Sequence, residues 1–265
     1  EILVGRLHTF LQANGESDDV EGGRHRVHIL CHGFRDTKES KTIKKVADAL
    51  HAKGRATFCF DFSGNGESEG EFEIGNYQEE VEDLRAAVVY LRGRGFDVGC
   101  TLGHSKAGGV VLLYGSQYQD VDVIINVAGR YHMNRGIEER FGPENMKKIE
   151  EDGFITQKDR LGEYKITKAS IEARRALDMS TVANIRAKVL TVHGTTDTVI
   201  PVSDAQEYDD LFSAVAPSRH TLSIIEEADH VFRQHGEQLG EAVVSYIDTI
   251  LCPPTLAIKP VQLLL

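Results

Sequence analysis

The chain has 265 residues, 41% of them hydrophobic and 27% charged, which suits one large folded α/β domain or a domain carrying an insertion. A formal net charge of -11 speaks against non-specific binding to nucleic acid or to an anionic membrane surface. No apolar run approaches the ~20 residues of a membrane helix, so no membrane span is expected.

The opening segment EILVGRLHTF has neither the basic flank nor the long apolar stretch of a signal peptide. Its LVGRLHTFL portion reads as an antiparallel edge hairpin. RVHILCHG is a short β-rich run ending in glycine, and KTIKKVADALHAKG then sets Ile43, Val46, Ala47 and Leu50 on one helical face, with Gly54 as a stop. ATFCFDF is the next strand. NYQEEVEDLRAAVVYLRGRG is a helix with Asn76 as its cap, Glu79 three residues on, and a buried stripe of Val81, Leu84, Val88 and Leu91. The strand VGCTLG leads into the helix KAGGVVLLYGSQY, and VDVIINVAG is a further apolar strand. KVLTVHG and HTLSIIEEA follow, each before a helical pattern, the last of which holds Leu239, Val243, Tyr246, Ile247 and Ile250.

Strands that are apolar on both faces and alternate with helices predict a mostly parallel central sheet covered by helices on both faces, in a single domain over 1–265. Residues 132–185 break the alternation: they are polar with short apolar clusters, GFITQKDRLGEYKIT as a hairpin and KASIEARRAL as a helix. This stretch reads as a cap, or lid, inserted between two sheet strands. Tyr131, His132, Phe141, Phe154 and Tyr164 are the candidates there for touching a substrate, although each suits the core of a cap at least as well. The four cysteines, Cys31, Cys59, Cys100 and Cys252, lack metal-ligand spacing and are expected to be free thiols in a reducing, cytoplasmic setting. The terminal VQLLL is too short to span a bilayer.

The segment TLGHSKAGG places Ser105 between a strand and a helix. On such a turn a serine is held in a strained conformation that exposes its hydroxyl, and the neighbours must be small, as Gly103 and Ala107 are. A serine nucleophile needs a base, and the base needs a carboxylate to orient it. In parallel sheets the working groups lie past the C-terminal ends of the strands. Asp197 in VHGTTDTVIP and His230 in EEADHVF meet that condition. The rivals fit less well. His220 precedes its strand, His235 belongs in or near the last helix, and His104 should point away from the serine. Asp61 suits a structural role in the loop DFSGNGESEG, Asp229 sits too close to His230 in sequence to face it, and His25 and His28 read as surface residues. A tetrahedral intermediate also needs N–H donors. The backbone of Lys106 supplies one, and that of Phe34, in the HGF turn, the other. The Lys106 side chain is expected to leave the turn in another direction, so that its truncation spares turnover.

The segments CHGF, FDFSGNGESEG, LGHSKAGG, VHGTTDTVIP and EADHVF, in this order, resemble the α/β-hydrolase superfamily over roughly residues 26–251. The nearest resemblance is to its serine-esterase branch, which includes cinnamoyl (feruloyl) esterases, monoacylglycerol lipases and related plant hydrolases. The resemblance implies an α/β-hydrolase fold with Ser105, Asp197 and His230 as catalytic triad and Phe34 and Lys106 as oxyanion-hole donors. Ala107 stands where that pattern usually has glycine. The implied activity is cleavage of a small-molecule carboxylic ester through an acyl-enzyme, with no metal and no organic cofactor. Thioester or amide hydrolysis and acyl transfer would use the same triad, and some plant hormone receptors use the fold to hold a ligand with slow or lost turnover. The sequence sets no oligomeric state.

Overall fold

The alternation of apolar side chains across strands builds a sheet buried on both sides. In β3 (Arg24–Cys31), Val27, Ile29 and Cys31 enter one core and Leu30 the other. A computed structural model describes residues 1–9, 20–21 and 24–251 of the chain. Its main sheet holds β1 (Gly5–His8), β4 (Ala56–Phe60), β3, β5 (Asp97–His104), β6 (Val123–Val127), β9 (Lys188–Gly194) and β10 (His220–Ile225), in that spatial order. Every neighbouring pair from β4 to β10 is parallel, and β1 lies antiparallel on β4.

The expected N-terminal edge strand is therefore present, but not as a hairpin closed on itself. The short β2 (Val20–Glu21) pairs with the start of β3 instead, and Phe10 and Leu11 lie outside the described residues. Cys252 and the VQLLL end lie outside them as well.

Two helical layers cover the sheet. On one face α1 (Lys41–His51) and α7 (Gly236–Leu251) bury Ile43, Val46, Leu50, Leu239, Val243 and Ile247 against Leu30, Leu102 and Val192. On the other, α2 (Tyr77–Gly93), α3 (Lys106–Tyr118) and α6 (Ser203–Val215) bury Val81, Leu84, Val110, Tyr208 and Phe212 against Val27, Ile29 and Val189. His28 lies on β3 with no exposed surface, which corrects its reading as a surface residue: on a central strand the pleat turns it into the core, whatever its polarity.

Between β6 and β9, which are neighbours in the sheet, the chain makes α4 (Ile137–Asp152), an antiparallel hairpin of β7 (Phe154–Asp159) and β8 (Gly162–Thr167), α5 (Lys168–Arg175) and a 3-10 turn over Met179–Asn184. Helix α4 breaks at Gly142, whose φ is 76°, just before Pro143, which has no N–H to continue the ladder. Ile137, Phe141, Ile149, Ile155, Ile166 and Ile171 of this segment form a small core of their own with Phe72 and Ile74.

Candidate active site

Ser105 links the last residue of β5 to the first of α3, with φ 59° and ψ −116°. Positive φ is unfavourable for serine and persists only where the surroundings impose it. Here its N–H donates to the Val127 carbonyl at 2.8 Å, and its own carbonyl accepts from the Gly108 N–H at 3.0 Å. The turn leaves no room for larger neighbours. A Cβ on Gly103 would collide with the Ala107 carbonyl, and one on Gly33 would press on the Cβ of Ser105.

Asp197 follows β9 and His230 follows β10, so both reach the sheet edge that carries Ser105. His230 Nε2 lies 2.9 Å from Ser105 Oγ, and its Nδ1 lies 2.7 Å from Asp197 Oδ2. A carboxylate only accepts, so Nδ1 carries the proton and the Nε2 lone pair faces the serine hydroxyl. Asp197 Oδ1 accepts from the N–H groups of Val199 and Ile200, each at 2.8 Å. Its Oδ2 also lies 3.2 Å from His193 Nε2, whose proton is shared with the Ile200 carbonyl at 2.9 Å. Burial opposes the charge on Asp197, but the bonds from His193, His230 and the Ile200 backbone outweigh it and hold the carboxyl well below the usual carboxylate range.

His104 Nε2 donates to the His230 carbonyl at 2.8 Å and so supports the loop that carries the imidazole. Burial, reinforced by the neighbouring His230, lowers its pKa to about 4. Sequence position alone directs His104 away from the serine and does not reveal this bond, nor does it single out His193. A histidine four residues ahead of the aspartate, on the same strand end, was the available signal.

The other rivals stay apart. His220 is held by Asp209 and by the Thr191 hydroxyl, each at 2.9 Å, at the start of β10. Asp229 accepts from the Arg233 N–H at 2.7 Å, and His235 lies just before α7. Asp61 accepts from the Lys38 N–H at 2.6 Å and the Glu67 N–H at 3.0 Å, which ties down the glycine-rich loop.

Lys106 is the first residue of α3, so its N–H has no carbonyl partner one helical turn back. Its side chain does leave the turn, but it goes into the protein. Nζ donates to Glu80 Oε1 and Asn76 Oδ1, both at 2.7 Å, with lysine and glutamate buried. Truncating Lys106 would strand a buried carboxylate, a cost to stability that the sequence does not reveal. One expectation is overturned: Asn76, although at the N-cap position of α2, uses its oxygen for Lys106 rather than for the helix.

Phe34, Ser105 and Lys106 line one cavity of about 270 Å³. Its wall also includes Tyr77, Arg130, Glu139, Arg140 and Arg174. None of Tyr131, His132, Phe141, Phe154 or Tyr164 lines it, which leaves them the other role open to them, in the packing of the cap or on its surface. Phe141 belongs to the small core, Tyr131 packs on Tyr208, His132 reaches Glu207, Phe154 is exposed, and Tyr164 sits edge-on to Phe72 and Phe34. Arg130 follows the C-terminal end of β6, the same kind of position that marks Asp197 and His230 in the sequence.

Among the described residues no group of three His, Cys, Asp or Glu side chains could hold a metal ion, and no helix is long and apolar enough to cross a membrane. Cys31, Cys59 and Cys100 are free; burial raises all three thiol pKa values, that of Cys59 to about 12.

The family model described as serine aminopeptidase, S33, matches residues 23–149. No curated protein sequence matches the chain. Among solved structures, the fold is similar to that of Est1E from Butyrivibrio proteoclasticus with ferulic acid bound, at a TM-score of 0.75 and 21% identity over 94% of this chain and 95% of that one. The Pyrococcus furiosus esterase Pf2001 gives a TM-score of 0.67 and 18% identity over 86% of this chain and 84% of that one. XC6422 from Xanthomonas campestris, described as an α/β serine hydrolase without lid, gives 0.63 and 17% over 93% and 88%.

Proposed function

We propose that the chain, whose fold is that of the α/β hydrolases, is a serine hydrolase that cleaves the carboxylic ester of a small molecule. The observation that carries this reading is the continuous hydrogen-bonded line Ser105–His230–Asp197, at 2.9 and 2.7 Å. His230 takes the Ser105 proton as Oγ attacks the ester carbonyl, and Asp197 holds the imidazole in the required tautomer and stabilises the imidazolium. The backbone N–H groups of Phe34 and Lys106, two residues that line the same cavity as Ser105, receive the oxyanion. Collapse of the tetrahedral intermediate expels the alcohol, which takes the proton from His230. Water then attacks the acyl-enzyme by the same route and releases the acid. The chain's own groups carry each of these steps, so the reading calls for no metal and no organic cofactor. Residues 132–185 act as a cap that closes the acyl or alcohol site.

Amide hydrolysis is a second reading, favoured by the aminopeptidase in the description of the matched family model. An aminopeptidase must hold the ammonium of its substrate, and a wall carrying Lys106, Arg130, Arg140 and Arg174 has the wrong sign for that. The test is a panel of p-nitrophenyl and hydroxycinnamate esters beside aminoacyl p-nitroanilides. Turnover of the esters, abolished in Ser105→Ala, is expected; turnover of the anilides alone would replace the ester reading with the amide one.

A further inference from the structure

The proposed ester hydrolysis leaves open what the rest of the cavity holds, and its wall is unlike the rest of the chain. The protein as a whole carries a net charge of -11, yet four cations and one carboxylate, Glu139, line this cavity. Glu80, behind Lys106, pairs with one of the four. No carboxylate lies within ion-pair distance of the other three among the described residues. Arg174 is buried, donates through Nη2 to the Arg135 carbonyl at 2.7 Å, and keeps a buried Nε with no partner among the described residues. Arg130 is also buried and gives one Nη2 bond, to the Val199 carbonyl at 2.6 Å. Arg140 is exposed as a residue, but its guanidinium lies over the Phe34 ring, 4.3 Å from the centroid. Burial lowers the pKa of both Arg140 and Arg174, and the neighbouring guanidinium charges push the same way. Arginine stays protonated in proteins, so the three charges persist. Cations crowded together without counter-charges destabilise a fold unless something anionic sits between them.

We propose that this cavity takes the anionic end of the substrate, so that the ester cleaved at Ser105 carries a free carboxylate or phosphate on the part held between Arg130, Arg140 and Arg174. This rests on the serine-hydrolase reading for the bond that is broken, but not for the binding of the anion. The guanidinium fork matches both oxyanions and binds them in two-pronged fashion. The cavity of about 270 Å³ fits a small group of this kind and lies at the low end of small-molecule sites.

The test separates binding from turnover. Ser105→Ala is titrated calorimetrically with monomethyl glutarate, with the methyl ester of 3-phosphonopropionic acid, and with neutral dimethyl glutarate. At least one anion is expected to bind about ten- to hundredfold tighter than the neutral diester, the range of one or more hydrogen bonds to a charged group. Which anion gains more assigns the carboxylate or the phosphate. Arg140→Gln, on an exposed helix position, and Arg174→Gln, each in the Ser105→Ala background, are expected to lose most of that preference. Arg94→Gln, at the exposed far end of α2, is expected to keep it. Equal affinity for anions and diester, or a preference that survives both cavity changes, overturns the proposal. If the wild-type chain cleaves no ester at all, the hydrolase reading fails, while the binding comparison still decides the anion site.

Discussion

The sheet edge and the segment between β6 and β9 meet around Ser105, but their parts are positioned by different means. At the C-terminal ends of the strands, each group of the line Ser105–His230–Asp197 follows a strand that backbone pairing fixes in place: β5 between β3 and β6, β9 between β6 and β10, and the outermost β10 on β9. The segment between β6 and β9 has its own small core and is tied to the first loop through side chains. Arg35 pairs with Asp159 through two bonds at 2.8 and 2.9 Å, and Arg160 reaches Asp36 at 2.6 Å. Both pairs clamp the β7–β8 hairpin to the loop that carries Phe34. A sheet edge fixed by backbone pairing preserves one geometry for the chemistry, whereas a segment held by side chains can change its lining, and so its substrate, without disturbing that geometry.

The largest effect should fall on the sheet edge and spare the fold. Ser105→Ala is expected to lose at least ~10³-fold in kcat with its unfolding midpoint unchanged. A variant that unfolds would show that the strained turn, rather than the hydroxyl, is what the substitution removes.

Next comes the buried pair behind Ser105. Lys106→Met leaves Glu80 buried without its cation and should destabilise the protein by about 3–5 kcal/mol in denaturant unfolding. Adding Glu80→Leu should recover most of that. The backbone N–H survives both changes, so kcat on a small neutral ester should stay within about tenfold of wild type, the loss of a true oxyanion donor being about 10² to 10³. A loss matching that of Ser105→Ala in the double variant would place the ammonium in the chemistry.

His104 gives the pH dependence. Its folded pKa of about 4 lies below the 6.5 of a free histidine, so the unfolded chain binds the extra proton first as pH falls. The stabilisation is thus complete above pH 6.5 and is lost as pH drops towards 4. The loss amounts to about 3 kcal/mol over that window. His104→Gln keeps a donor for the His230 carbonyl and should flatten this part of the stability–pH curve; an unchanged slope would assign the acid sensitivity to other groups.

The smallest effect belongs to the outside of the β6–β9 segment. Phe154 is exposed and lines no part of the cavity, so Phe154→Ala should move KM by no more than about twofold. A larger change would bring the hairpin into the substrate site.

The architecture around Ser105 was legible in the sequence because its signals are local: a strand, a tight turn of small residues, and Asp197 and His230 each just past an apolar run. The lining was not, because an aromatic residue in a polar insertion looks the same whether it faces a ligand or its own small core, as Phe141 does. Nor does an arginine on an amphipathic helix announce a pocket, and Arg174, beside Ile171 on α5, is buried on the inner side. Asn76 shows the other limit. It has the residue type and position of a helix cap, but a lysine 30 residues away claims its oxygen. His28 reads as a surface residue until the pairing of β3 with β4 and β5 is known.

The central claim is that Ser105 is the nucleophile, and covalent trapping tests it most directly. A fluorophosphonate reacts with a serine whose hydroxyl is deprotonated by a neighbouring base, and peptide mass spectrometry locates the adduct. The account predicts a single adduct on Ser105, lost in Ser105→Ala and strongly slowed in His230→Ala. An adduct on another residue, or none on a folded protein that still cleaves esters, would contradict it.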